Sequence, residues 1–238
     1  MPAQLLFITG TDTAVGKTMI TAALAAYLRQ RGIPVAVLKP VATGCRPGPK
    51  AEPLSEDAEY LRATSGCQAP LNLINPVGYV APLAPLAAAE QTGVPVDFAQ
   101  LERAKEKLAE HSDWLLIEGI GGLAVPLSRE WTVADLAKKW RAPLLVVARP
   151  ALGTINHCVL TCAYAKARGC EVRGFVFNEV VPPPGDDPSL ASNSQYVASL
   201  TGRPCLGAFP WLSESQRNDW RVLADVCEKT LDVAQIFA

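Results

Sequence analysis

Between an apolar run, Leu5-Leu6-Phe7-Ile8-Thr9, and a helix-like stretch, Met19-Ile20-Thr21-Ala22-Ala23-Leu24, lies Gly10-Thr11-Asp12-Thr13-Ala14-Val15-Gly16-Lys17-Thr18. No other feature limits the possible folds as much, because strand, glycine-bounded loop and helix in that order form a cradle for phosphate. Gly10 and Gly16 stand where the backbone must turn tightly and aim its N–H groups at an anion. Lys17 supplies a point charge for the outer phosphates. Thr18 puts a hydroxyl on the first helical turn, where it can ligate Mg2+ and where the helix N-terminus adds partial positive charge. Five residues separate the two glycines, one more than in the common G-x-x-x-x-G-K-S/T spacing. The plain alternative, a glycine-punctuated turn with a solvated lysine, does not account for the strand before it and the helix after it. The stretch reads as a nucleoside triphosphate site.

Composition then narrows the class. A chain of 238 residues buries roughly 70–75% of its unfolded surface on folding and needs no disulfides. Its seven cysteines are scattered and never form a C-x-x-C pair, which suits a reducing cytoplasm. Cys158 and Cys162, with His157 beside them, have a helical spacing that metal ligands share, but small buried positions on one helix face explain them more simply. The net charge of −1, with both signs interspersed, offers no footprint for nucleic acid. No apolar run approaches the ~18 residues of a membrane span, and no basic-then-apolar leader opens the sequence. The expectations are a cytoplasmic location, no membrane and no nucleic acid. No linker separates two self-contained patterns, so residues 1–238 are expected to form one domain.

Along the chain, short β-branched or leucine-rich runs alternate with longer amphipathic ones. A helix over residues 17–31 ends at Gly32, and residues 34–38 follow as a strand. Lys39-Pro40-Val41-Ala42-Thr43-Gly44 lies at the carboxyl end of that strand, the end at which open parallel sheets bind ligands. Lys39 therefore either faces the phosphate crevice or is an ordinary strand-end lysine in solvent. Residues 45–53 read as a loop. Ser55 then caps a helix whose first-turn acids, Glu56 and Asp57, complement its dipole, which explains Asp57 without a catalytic role. Residues 66–86 carry prolines at 70, 76, 82 and 85 and read as irregular. Helices are expected over residues 83–91 and 97–111, the second capped by Asp97.

Trp114-Leu115-Leu116-Ile117 reads as a buried strand ending in Glu118 and Gly119-Ile120-Gly121-Gly122. Beside a phosphate loop, an acid in that place reaches magnesium; otherwise it is a strand-end carboxylate beside a flexible turn. Asp135, in the next helix, reads as a surface residue. Residues 143–148 form another strand, and Gly153-Thr154-Ile155-Asn156-His157 begins a helix whose free N–H groups make a weak anion-site signal. His157 reads as a satisfied core polar residue. Residues 172–177 form a strand that carries Asn178 and Glu179, and Pro182-Pro183-Pro184-Gly185 breaks the chain. One more helix leads to a last strand at 204–209, then Pro210-Trp211-Leu212 and a closing helix.

Apolar strands joined by helical crossovers make a parallel sheet covered on both faces, here an α/β, doubly wound arrangement of about seven strands. Its carboxyl rim gathers the phosphate loop, Lys39 to Gly44, Glu118 to Gly122, and Asn178 in one crevice.

These motifs, in this order and over essentially the whole length, resemble the dethiobiotin synthetase family. Residues 10–18 are similar to its elongated phosphate loop, residues 39–44 to its catalytic-lysine segment, and residues 118–122 to its acid-plus-glycine turn. Residues 152–157 resemble the helix start that receives the substrate carboxylate in a neighbouring subunit, and Asn178-Glu179 with Pro210-Trp211-Leu212 resemble the segments around adenine.

The resemblance implies a P-loop NTPase fold and a reaction that converts 7,8-diaminononanoate, CO2 and ATP to dethiobiotin, ADP and phosphate. It implies ATP held by Ala14, Val15, Gly16, Lys17, Thr18, Gly119, Gly121, Gly122, Asn178, Glu179, Pro210, Trp211 and Leu212. It places Mg2+ on Thr18, Asp57 and Glu118, and Lys17 and Lys39 at the chemistry. Thr43, Gly153, Thr154 and Asn156 would meet the substrate, at the interface of a homodimer. Three residues depart from some relatives: Ala14 replaces an acid, Thr43 a serine and Glu179 an aspartate. The resemblance competes with two readings on the same scaffold. A cobyrinic acid amidase would call for a further glutaminase domain. A partition ATPase typically carries an extra loop lysine, which Thr11-Asp12-Thr13 lacks.

Overall fold

The computed structural model describes residues 2–49, 51–182 and 189–238, with side chains described except at 189–191. β1 (Gln4–Gly10) enters the phosphate loop and α1 (Lys17–Gln30) leaves it. After β2 (Val35–Leu38) come β3 (Val41–Thr43) and the hairpin pair β4 (Arg46–Pro47) and β5 (Pro53–Leu54), then α2 (Glu56–Ser65). α3 (Leu71–Ile74), β6 (Val77–Tyr79), α4 (Pro85–Thr92) and α5 (Phe98–Ala109) lead to β7 (Trp114–Gly122). α6 (Val133–Lys139), β8 (Leu144–Ala148), α7 (Thr154–Arg168) and β9 (Val172–Asn178) continue the alternation. α8 (Ser189–Thr201) and β10 (Cys205–Phe209) precede three closing helices, α9 (Glu214–Arg217), α10 (Trp220–Thr230) and α11 (Val233–Ile236). The proline-rich break expected at 182–185 lies, beyond Pro182, outside the described residues.

The main sheet runs β10-β9-β8-β1-β7-β2, every pair parallel. Parallel strands buried on both faces read as continuous apolar runs, because successive side chains point to opposite sides. Leu6, Ile8, Leu116, Leu145 and Val147 pack on the face carrying α1 and α10. Phe7, Leu115, Ile117, Leu144 and Val146 pack on the face carrying α5, α6 and α7.

The main sheet has six strands among the described residues, and the apolar run after Leu38 does not lengthen β2. Pro40 has no N–H to give a ladder. Past it, Val41 to Thr43 leave the main sheet and pair with β6 instead. The stretch at 66–86 is thus less irregular than its prolines suggest, since it contains both α3 and β6. The stretch at 45–53, which reads as a loop, likewise holds β4, which pairs antiparallel with β5, Arg46 opposite Leu54. Pro85 starts α4 two residues later than expected, as a first-turn proline does. Ser55 and Asp97 cap α2 and α5 as expected, accepting from the N–H groups of Ala58 and Gln100.

Asp135 is a capping residue and only partly exposed, not a simple surface acid. Its carboxylate accepts from the Thr132 N–H at 2.8 Å and hydroxyl at 2.7 Å, and pairs with Arg168 at 3.2 Å. Burial alone would raise its pKa, but the Thr132 hydrogen bonds and Arg168 hold it below the usual carboxylate value. Asp135→Ala is therefore expected to lower stability by about 1 kcal/mol at pH 7. A depressed native pKa means that the unfolded chain takes up the proton first. In denaturant melts the gap between wild type and variant should be complete above about pH 4 and shrink as pH falls further.

Candidate active site

The phosphate loop is held from below. Gly16 caps α1 with φ 86° and ψ 32°, a left-handed conformation that favours glycine. A Cβ there would lie 1.9 Å from Asn178 Nδ2. The Asn178 amide donates to the Val15 carbonyl at 3.0 Å, tying the loop to the end of β9, while its Oδ1 is buried without a hydrogen-bond partner. Ala14 also has positive φ, 56°. Lys17 arcs back to the Asp12 carbonyl at 3.2 Å.

Four side chains, three from α1, α2 and β7 and one from the residue that follows β2, meet under this loop. Thr18 Oγ1 donates toward Asp57 Oδ1 at 3.1 Å and Glu118 Oε1 at 2.9 Å. Lys39 Nζ donates to Asp57 Oδ2 at 2.8 Å and to Glu118 Oε1 at 2.5 Å. Lys39 is thus the buried partner of two carboxylates, 4% exposed, rather than a strand-end lysine in solvent. β2 delivers it and β7 delivers Glu118. α1 begins beside them, and the Ser55 cap fixes the turn that carries Asp57.

Burial opposes the charge on each of these groups. For Lys39, the carboxylates of Glu118 and Asp57 outweigh burial and raise its pKa, so the ammonium persists. For Asp57, burial is outweighed by Lys39 and the pKa falls. Glu118 is fully buried; that burial and the neighbouring Asp57 raise its pKa against the pull of Lys39. Burial, then the nearby Lys39, lowers Lys17 to about 8.

A cavity of about 300 Å³ opens above the cluster, lined by Ala14, Gly16, Lys17, Thr18, Lys39, Thr43, Asp57, Glu118 and Gly121, with Thr13, Ala42 and Ile120 completing its wall. The last three were not singled out in sequence; only their adjacency to marked residues could have suggested them. Val15 lies in the core beneath the loop, 1% exposed. β7 continues through the glycines instead of turning. A Cβ on Gly119 would meet the Phe7 ring at 2.8 Å, and one on Gly122 the Gly10 carbonyl at 3.2 Å, so both face β1.

Asn178, Glu179 and residues 210–212 are not among the residues lining that cavity; Glu179 donates its N–H to the Phe209 carbonyl at 3.0 Å and accepts from the Trp211 N–H at 3.3 Å. These bonds hold Pro210-Trp211-Leu212 beside Asn178. The start of α7 does not line the cavity of its own chain. Gly153 and Asn156 are exposed, Leu152 is 90% exposed, and the Thr154 hydroxyl pairs with Cys158 Sγ at 3.7 Å. His157 is exposed too, because α7 turns that position outward instead of into the core. Cys158 and Cys162 are buried on one helix face, and no metal-capable cluster of three or more His, Cys, Asp or Glu occurs among the described residues.

Residues 4–219 match the AAA_26 family, described as an AAA domain. The fold alone is shared with a ParA family ATPase from Chlorobium tepidum (TM-score 0.51, 14% identity, 99% of this chain and 97% of that one). It is shared as well with the MinC:MinD complex of Aquifex aeolicus (TM-score 0.54, 12% identity, 98% and 93%). In sequence the chain is 44% identical to the ATP-dependent dethiobiotin synthetase BioD of Anaeromyxobacter sp. strain K, over 87% of this chain and 89% of that protein. It is 43% identical to the BioD of Aquifex aeolicus over 83% and 84%, and 35% identical to that of Thermodesulfovibrio yellowstonii over 98% of both. With identities at this level across most of its length, the chain belongs to the ATP-dependent dethiobiotin synthetase family.

Proposed function

We propose that this chain closes 7,8-diaminononanoate and CO2 into the cyclic urea of dethiobiotin at the expense of ATP. The observation that carries the reading is Lys39 buried between Asp57 and Glu118, directly beneath a phosphate loop. An amine and CO2 give a carbamate, whose oxygen is a poor leaving group. Attack of that oxygen on the γ-phosphorus of ATP releases ADP and forms a mixed carbamic-phosphoric anhydride. The second amine then adds to the carbamoyl carbon, phosphate departs with the C–O bond electrons, and the amine proton goes to solvent. Such chemistry asks the protein for position and charge more than for covalent participation.

Lys17 meets the β- and γ-phosphates, and Lys39 neutralises the carbamate and the transferring phosphoryl group. Thr43, half-buried in the cavity wall, hydrogen-bonds the diamine end. The orphaned Oδ1 of Asn178 is an acceptor suited to the adenine amino group, with Glu179, Pro210, Trp211 and Leu212 around the base and Gly119 and Gly122 behind the phosphates. A hydroxyl and two carboxylates converge at Thr18, Asp57 and Glu118, and Glu118 Oε2 is buried without a partner. A hard oxygen set of this size fits Mg2+, which keeps waters and phosphate oxygens as its other ligands. When bound, the ion would offset phosphate charge.

Gly153, Thr154 and Asn156 hold the substrate carboxylate of a second subunit. Support for this homodimer comes from the outward face of α7 and the residues before it, where Leu152 and, two turns on, Leu160 are 90% and 60% exposed and no residue reaches the chain's own cavity. We place the protein in the cytoplasm, in keeping with its seven free cysteines; no helix among the described residues is long and apolar enough to cross a membrane.

The test is phosphate release from ATP and Mg2+, with and without diaminononanoate and bicarbonate, coupled to mass detection of the product. Phosphate appearing in step with a cyclic urea, and only with both co-substrates, is the expected result. Hydrolysis indifferent to both would instead place the chain with the switch-type ATPases whose fold it shares.

A further inference from the structure

We infer that Asn75 is a positioning residue for Lys39. This rests on the assignment of Lys39 to the carbamate and phosphoryl charge.

Lys39 sits at the point where the chain leaves the main sheet. β2 ends at Leu38, which pairs with Ile117, and Pro40 has no N–H, so the main-sheet ladder does not continue far enough to fix the backbone of the lysine itself. The segment from Ile74 to Val77 does so instead. The Lys39 N–H donates to the Ile74 carbonyl at 2.7 Å, and the Lys39 carbonyl accepts from Asn75 Nδ2 at 2.8 Å. The Val77 N–H donates to the Pro40 carbonyl at 3.3 Å, after which Val41 and Val77 begin the parallel pairing of β3 with β6. Both backbone polar groups of Lys39 are thus held by two consecutive residues.

Asparagine suits the place because one amide carries two donors. The second goes to the Val77 carbonyl at 3.0 Å, so a single side chain bridges the lysine segment to the strand that supports it. An aspartate of the same shape would point carboxylate oxygens at two carbonyl oxygens. Alanine would leave both carbonyls without this donor. In either case the Lys39 backbone loses one of its two anchors, the bond at its carbonyl, and keeps the other at Ile74, while the phosphate loop, carried by β1 and α1, keeps its own.

The experiment compares wild type, Lys39→Ala, Asn75→Asp and Asn75→Ala by kcat, KM for ATP, affinity for a fluorescent ADP analogue, and thermal midpoint. A reacting group displaced by about 1 Å costs up to about 100-fold. Asn75→Asp and Asn75→Ala are therefore expected to lower kcat by about 10- to 100-fold, with KM for ATP and ADP-analogue affinity within about twofold. In the Lys39→Ala background, single-turnover rates should fall by less than about threefold on adding Asn75→Ala, since no lysine remains to be misplaced. A merely structural asparagine would weaken nucleotide binding in parallel or cost the same in both backgrounds, and either result overturns the proposal. A folded Asn75→Asp with kcat within about twofold of wild type overturns it as well. If Asn75→Asp does not fold, Asn75→Ala decides by the same criteria. Loss of rate in Lys39→Ala with normal rate in the Asn75 variants rejects the positioning role alone. Normal rate in Lys39→Ala instead rejects the role given to the lysine.

Discussion

Replacing Lys39 with methionine is expected to lower kcat by about 10²–10³, the loss typical of removing one preorganised donor to developing charge. The same substitution should change stability in a way that identifies the ammonium as a counter-ion. Lys39 is the hydrogen-bonded cation beside Glu118, a carboxylate that is 0% exposed. Removing one partner of a buried pair leaves the other uncompensated, at a cost of about 3–5 kcal/mol. Mg2+ or Mn2+ would supply the missing charge. Either ion should therefore raise the variant's thermal midpoint more than the wild type's, because a ligand that binds only the native state stabilises it in proportion to RT ln(1 + [L]/Kd). Titration calorimetry with Mn2+ in the absence of nucleotide should give the same order, with tighter binding in Lys39→Met. Equal midpoints and equal Mn2+ affinities in the two proteins would show that Lys39 does not balance the carboxylates, and a variant with near-normal kcat would remove the lysine from the chemistry.

The second large effect is expected at Gly16. Gly16→Ala faces two penalties at once: a backbone at φ 86° and a Cβ placed 1.9 Å from Asn178 Nδ2. The left-handed conformation alone costs about 1–2 kcal/mol. Contact at that distance must also push Asn178 off the Val15 carbonyl, which detaches the loop from β9. Nucleotide affinity, read with a fluorescent ADP analogue, should fall by at least about 100-fold, since 2.7 kcal/mol corresponds to that factor. Asn178→Ala clears the space but also removes the tie. The double variant is therefore expected to recover backbone folding, seen in the thermal midpoint, more than nucleotide affinity. Gly16→Ala with unchanged affinity would mean that the loop does not need its tie to β9.

The residues at the rim were legible because their positions follow from local rules. Gly10 to Thr18 sits between a strand and a helix, Glu118 ends an apolar run, and parallel strands place their carboxyl ends together. The separation of Leu6 and Ile8 from Phe7 onto opposite faces was implied in the same way by strand alternation. What the residue types left open at Lys39, solvent or crevice, was decided by Asp57, which reads locally as a first-turn acid of α2. The dipole argument for Asp57 was sound, and its carboxylate also reaches Lys39 at 2.8 Å. Asn75 lay in a stretch whose four prolines pointed to irregular chain, so its amide could be recognised only once Lys39 was seen beside it.

The sequence by itself determined the chain order of the six main-sheet strands and of the longer helices, the phosphate loop and the acid that faces it, because spacing, capping and alternation act within a few residues of chain. Only the tertiary structure decided that Lys39 is buried, that β3 leaves the main sheet for β6, that Asn178 supports Gly16, and that His157 faces solvent. Each of these depends on groups that are far apart in sequence and meet through packing. Glu118 is 79 residues from Lys39, and Val15 is 163 residues from Asn178. No local pattern encodes such contacts. They follow from the way two apolar faces of one sheet are covered and from the requirement that buried charges find partners.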